Sequence, residues 1–159
     1  GSAGWAWLGF ALMTAVSWGT YGVFLHTGQI AMGDAVNGRY KAFLFVGIAY
    51  LLTAVLGSLI ALKMNGVEWS FPARGMMWST LAGIAGAVGA FGILLAFGAK
   101  GTPTVVMAIV FAGAPIVNAA VAVMAHPPAG GWAAVNWRFV LGIGMAALGG
   151  CLVSLYKPT

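Results

Sequence analysis

MMWSTLAGIAGAVGAFGILLAFG (Met76–Gly98), AKGT (99–102) and PTVVMAIVFAGAPIVNAAVAVMA (Pro103–Ala125) follow one another in this chain, and neither long stretch holds a charged residue. Each exceeds the roughly 20 residues that a helix, rising about 1.5 Å per residue, needs to cross a hydrocarbon core of about 30 Å. The short AKGT segment leaves room only for a tight turn. The two stretches are therefore read as an antiparallel hairpin of membrane helices.

Outward from this hairpin lie three more stretches of the same kind, Trp5–Leu25, Ala42–Met64 and Phe139–Tyr156. Over 159 residues the chain is 62% hydrophobic and 6% charged, with a mean hydropathy of +0.99, and no water-soluble fold could hide that much apolar surface. The pattern predicts an all-α polytopic membrane protein with five transmembrane helices, forming a single membrane domain over residues 5–159. The opening Gly1-Ser2-Ala3-Gly4 reads as an expression linker and is set aside. The first span lacks a basic lead and is too long for the apolar core of a signal peptide, so it is read as a membrane helix.

Twenty-five glycines would weaken helices in water. In a bilayer the same residues let helix backbones approach closely. The net charge of +5 comes from basic residues placed singly in the connections, with no patch or run, which argues against nucleic acid as a partner and for interfacial anchoring. Cys151, the single cysteine, has no internal partner and reads as a small apolar residue of the last span.

Five spans put the termini on opposite sides of the membrane. Lys63, Arg74 and Arg138 fall on one side, and Arg39, Lys41, Lys100 and Lys157 on the other. Three against four gives no bias by which the positive-inside rule could orient the chain. Either the chain inserts both ways up, so that two copies reproduce the inverted repeats common among transporters, or Arg39 and Lys41 serve the start of a helix and do not count. The longest polar connection is read as His26–Tyr40 and contains Asp34, one of two acidic residues. The segment 65–75 opens with Asn-Gly and holds Pro72, Trp69 and Phe71, while His126-Pro127-Pro128 breaks the chain before the last span.

Several residues within the spans could carry chemistry. Gly83, Gly86, Gly89 and Gly92 recur every three residues along the third span, a ridge suited to close helix packing. Pro115 in the fourth span removes a backbone hydrogen bond and is expected to kink the helix. Asn118, three residues on, carries an amide that must face protein or a cavity, as an interhelical hydrogen bond or a solute contact. Thr14, Trp18 and Tyr21 share one face of the first span, and Tyr50 and Thr53 one face of the second. Trp18, Tyr21, Tyr50 and Asn118 are the candidate solute-binding residues. No Asp, Glu, Lys or Arg lies in the central half of any span, whereas a cation-coupled exporter needs a carboxylate there. His26 and His126 have no partner at metal-ligand spacing. No nucleophile elbow, phosphate loop or cysteine pair is present. The expectation is a protein that is not an enzyme and uses no metal and no cofactor.

These features together resemble one EamA-type repeat of the drug/metabolite transporter (DMT) superfamily. Trp18-Gly19 is similar to that repeat's mid-span Trp-Gly, and Arg39 to its basic helix start. Leu81–Val123, running through Phe97-Gly98-Ala99-Lys100-Gly101-Thr102 to Pro115, resembles its hairpin between helices three and four. Gly142–Tyr156 resembles its closing helix. The resemblance spans the chain as one five-helix repeat, where members of the superfamily commonly carry two, and the His126-Pro127-Pro128 connection departs from the repeat's compact acidic turn. It implies a half-size transporter working by alternating access in a bacterial inner membrane, and the missing membrane carboxylates favour a small neutral or weakly anionic metabolite over the cationic drugs that some members of the superfamily export. Such a protein would pair as a homodimer, with a pathway lined by the first, third and fourth spans. The alternative is a non-transporting subunit of a larger membrane complex, with its glycine faces docked on partners.

Overall fold

The computed structural model describes residues 5–156. Residues 1–4, 157–159 and the side chain of Trp132 lie outside the described residues, and with them the linker and Lys157. Five helices are long and apolar enough to cross a membrane: α1 (Ala6–Ala31), α2 (Gly38–Met64), α3 (Ala73–Gly98), α4 (Pro103–Ala125) and α5 (Trp137–Leu155). Every regular element among the described residues is helical, as a hydrocarbon solvent requires when each backbone N–H and C=O must be satisfied within its own segment. α3 ends at Gly98 and α4 starts at Pro103, the limits expected from the sequence. Lys100 turns the chain between them with φ of 68°, and Pro103 sits at the start of α4, where its missing N–H costs nothing.

The boundary that differs most from the sequence reading is the end of α1, and α2 also starts earlier, at Gly38 rather than Ala42. The segment His26–Ala31, assigned above to a connection, continues α1. It contains no proline, and the Thr27 hydroxyl donates to the Val23 carbonyl at 2.8 Å, so polarity alone does not end the helix. The stop comes at Gly33, whose φ of +65° is a left-handed turn that glycine adopts at little cost. The connection therefore shrinks to the residues between Ala31 and Gly38.

α2 also holds a feature with no signature in the sequence. Its α-helical register runs over Gly38–Tyr50, widens to a π-helix over Leu51–Leu56, and returns to α over Gly57–Met64. A short 3-10 turn at Gly131–Ala134 precedes α5, which is capped by Asn136, its side chain accepting from the Arg138 amide at 2.9 Å.

The helices group into two compact units that meet in sequence between Ala99 and Lys100. In the first, α1 packs on α2 and α3, and α2 on α3. The up-down-up path brings the end of α1, the start of α2 and the end of α3 together, and the core sits there: Leu25, Ala42, Ile93, Leu94 and Phe97 are buried, Leu94 completely. His26 meets the edge of Phe97, with ring centroids 5.2 Å apart, and Phe91 packs against Tyr40 and Phe43. Arg39 adds a wedge: its guanidinium lies against Gly98, where any side chain would collide with it.

In the second unit α4 and α5 pair. Closest approach is at Gly150, where an added Cβ would strike the Cβ of Ala112 and come within 3.2 Å of the Ala108 carbonyl. Small residues on both helices let the backbones meet, and with no water to expel, close van der Waals contact supplies the attraction. Gly149, one residue earlier, has no neighbour within 4 Å. Gly150→Val is accordingly expected to destabilise the hairpin by about 1–3 kcal/mol, while Gly149→Val leaves it near wild type, as read by reversible unfolding in detergent. Equal losses at both positions would contradict this packing.

Candidate functional site

Membrane helices satisfy short hydroxyl side chains locally, and this chain does so repeatedly. Thr14 donates to Phe10 O at 3.0 Å, Thr53 to Ala49 O at 2.8 Å, Thr80 to Met76 O at 2.8 Å and Ser154 to Gly150 O at 2.9 Å. Thr14 and Thr53, which share faces with the candidate aromatic residues, are thus engaged with their own helices. A tyrosine is too long and rigid for this return bond. The Tyr21 hydroxyl is buried and has no partner among the described residues.

Tyr21 lines a groove of about 390 Å³ between α1 and α2. Ser17 lies one turn before it on α1, and Phe24, Phe45, Val46 and Ala49 make up much of the wall. Met32 and Ala42 mark one end of the groove and Ser17 and Ala49 the other. The stretch from Gly28 to Ser17 on α1 covers about 16 Å at helical rise, so the groove reaches from one membrane interface to the neighbourhood of the midplane. Tyr50, 55% exposed, ends the first α-helical part of α2, one residue beyond the wall residue Ala49. It directly precedes the π-helix, a geometry that recurs at functional positions because it frees backbone groups and permits a change of register.

Of the four candidate residues, Tyr21 is the one that lines the groove. Trp18 is 45% exposed on α1 and is not part of the groove wall. Asn118 is exposed on α4 and lines neither of the two grooves between α4 and α5. Pro115 sits inside α4 without interrupting it. At Gly83, Gly86, Gly89 and Gly92 an added Cβ would meet nothing within 4 Å, so the ridge of α3 makes no close contact with α1 or α2. Ser17 escaped the sequence reading although it stands one turn from Tyr21 on the same face. The π-helix had no sequence signal at all.

Two further buried polar atoms lack partners at the core end of the first unit, Gln29 Oε1 and Arg39 Nε. Nearby, Asp34 organises the start of α2. Its Oδ1 accepts from the amides of Val36 at 3.1 Å and Asn37 at 2.8 Å, and its Oδ2 pairs with Lys41 at 2.8 Å. The hydrogen bond from Lys41, then that from the Asn37 amide, pull the carboxyl from its ordinary 3.8 down to about 2.

No protein-family model matches the chain, and no curated protein and no solved structure matches it either.

A lowered carboxyl pKa means that Asp34 stabilises the folded turn at every pH above its ordinary value, and that this contribution fades as pH falls from 3.8 to about 2. Carboxyl chemical shifts should place its titration near the lower figure, and Lys41→Ala should move it back toward the ordinary value. A midpoint unchanged by that substitution would remove the ion pair from the account. Tyr21→Phe deletes a buried hydroxyl that has no partner, so thermal unfolding in detergent is expected to show no loss, or a gain of up to about 1 kcal/mol. A loss above about 1 kcal/mol would mean that the hydroxyl is bonded within the protein.

Proposed function

We propose that this protein is a membrane transporter that carries a small neutral or weakly anionic metabolite, with the α1–α2 groove as part of its path. The observation that carries the reading is the Tyr21 hydroxyl, buried without a partner among the described residues, on a side chain that belongs to the wall of the α1–α2 groove. An unpaired phenol in hydrocarbon is costly. A solute bearing a hydroxyl or carbonyl would relieve it, with Ser17 one turn away in the same wall. No Asp, Glu, Lys or Arg lines the groove, which favours uncharged cargo and disfavours a proton-for-cation exchange centred on a membrane carboxylate. The π-helix beside Tyr50 supports the movement that alternating access needs, since a helix able to shift register can reorient a side chain at low cost.

The resemblance to a single EamA-type repeat of the DMT superfamily agrees with this reading. We further propose, as that resemblance implies, that the protein belongs to a bacterial inner membrane and works as two copies where two-repeat members use one chain. Reconstituted in liposomes, the protein should take up at least one solute from a panel of sugars, amino acids and small weak acids. Tyr21→Phe, which is expected to fold normally, should slow that uptake about tenfold, the effect of losing one hydrogen bond to a bound solute of roughly 1.4 kcal/mol. Liposomes that move no member of the panel, or a Tyr21→Phe protein with full activity, would refute the proposal.

A further inference from the structure

Arg39 is a seated cation without an anion. Its guanidinium lies against Gly98 at the end of α3, and its Nε is buried with no hydrogen-bond partner among the described residues. Gln29 of α1 stands at the same end of the unit. Its backbone carbonyl is 2.8 Å from the point where Gly38, the residue before Arg39, would carry a Cβ. The side-chain Oε1 of Gln29 is also buried and without a partner, so the two side chains do not satisfy each other. Three helices of one unit therefore hold a guanidinium and a carboxamide at one end, each with a polar atom left over.

The chain has no side-chain carboxylate to spare for this cation. It holds two acidic residues, Asp34 and Glu68. Asp34 is taken by Lys41 and by the amides of Val36 and Asn37, and among the described residues no ion pair joins it to Arg39. Glu68 follows the far end of α2, roughly 38 Å from Arg39 at helical rise. Residues 100–159 contain neither Asp nor Glu, so the second unit has none to offer. The depth of Arg39 indicates what does meet it. α2 runs from Gly38 to Met64, and Arg39 lies about 18 Å before its middle residue, Leu51. With α2 centred in a bilayer, that is outside a hydrocarbon half-thickness of about 15 Å and inside the headgroup layer. Lipid phosphates are the abundant anions of that layer.

We propose that Arg39 and Gln29 form a binding site for the phosphate of an anionic lipid headgroup. A phosphate takes two parallel hydrogen bonds from a guanidinium, one from Nε–H and one from a terminal N–H, which gives the orphaned Nε its acceptor. The Gln29 carboxamide, turned over, offers its NH2 to a further phosphate oxygen. A lipid with net negative charge suits the site better than a zwitterionic one, whose ammonium group would sit near an unneutralised guanidinium. Neither Arg39 nor Gln29 belongs to the wall of the α1–α2 groove. Lipid binding and solute movement are therefore separate, and failure of one leaves the other standing.

The test titrates the full chain, in an uncharged detergent, with short-chain phosphatidylglycerol, short-chain phosphatidylcholine or inorganic phosphate, and counts bound copies by native mass spectrometry. The first phosphatidylglycerol should bind more tightly than phosphatidylcholine, and inorganic phosphate at the same concentration should not displace it. Arg39→Gln should weaken that first copy about tenfold. Gly98→Ala keeps every charge but pushes the guanidinium off its seat. Only the tip of a flexible side chain has to move, so the variant should fold and lose a similar factor. Arg74→Gln, at the opposite end of α3, should bind as wild type does. Unchanged affinity in both Arg39→Gln and Gly98→Ala would overturn the site. An equal loss in Arg74→Gln would reduce it to an effect of net charge, and displacement by inorganic phosphate would make it a site for a free anion; either result overturns the proposal.

Discussion

Hydrocarbon offers no hydrogen bond, and each element of this chain can be understood as an answer to that fact. The backbone answers it with five long helices. The hydroxyls of Thr14, Thr20, Thr27, Thr53 and Thr80 answer it by returning to carbonyls of their own helix. Tyr21 and Asn118 stand out against this background. Neither makes the return bond, and each presents a polar tip that something else has to meet. Tyr21 belongs to the wall of the groove between α1 and α2, and Asn118 lies on the face of α4 turned away from α5.

Packing follows a second consequence of the same solvent. Lipid is as apolar as leucine, so helices gain little from hiding aliphatic side chains and associate where their surfaces fit closely. Gly150 against Ala108 and Ala112 is such a fit, and Arg39 against Gly98 is another. The conspicuous ridge from Gly83 to Gly92 has no neighbour within contact distance. A small residue permits a close approach without compelling one, and only the partner surface decides whether it happens.

Charge is confined to the ends of the helices, and there it acts as local structure. Asp34 binds two amides and Lys41 at the start of α2, while Arg39 packs beside it against the end of α3. Two of the four basic residues counted on that side of the membrane are thus engaged in building a helix start. Whatever orients the chain, these two have a structural reason to be where they are.

The number, type and approximate limits of the helices could be read from the sequence alone, because a 20-residue apolar stretch has only one stable conformation in lipid. The one sizeable boundary difference, at His26–Ala31, arose because polar residues near the interface do not end a helix until a residue such as Gly33 turns the backbone. Tyr21 and Tyr50 could also be read as candidates, since an aromatic hydroxyl in mid-span is conspicuous by composition. The groove that Tyr21 lines could not, nor could the exposure of Trp18 or Tyr50 or the π-helix at Leu51–Leu56. Those depend on how each helix is rotated about its axis. Rotation costs almost nothing in hydrocarbon until a neighbouring surface locks it, so the sequence determined that there are five helices and what they carry, and only the tertiary structure decided which faces meet.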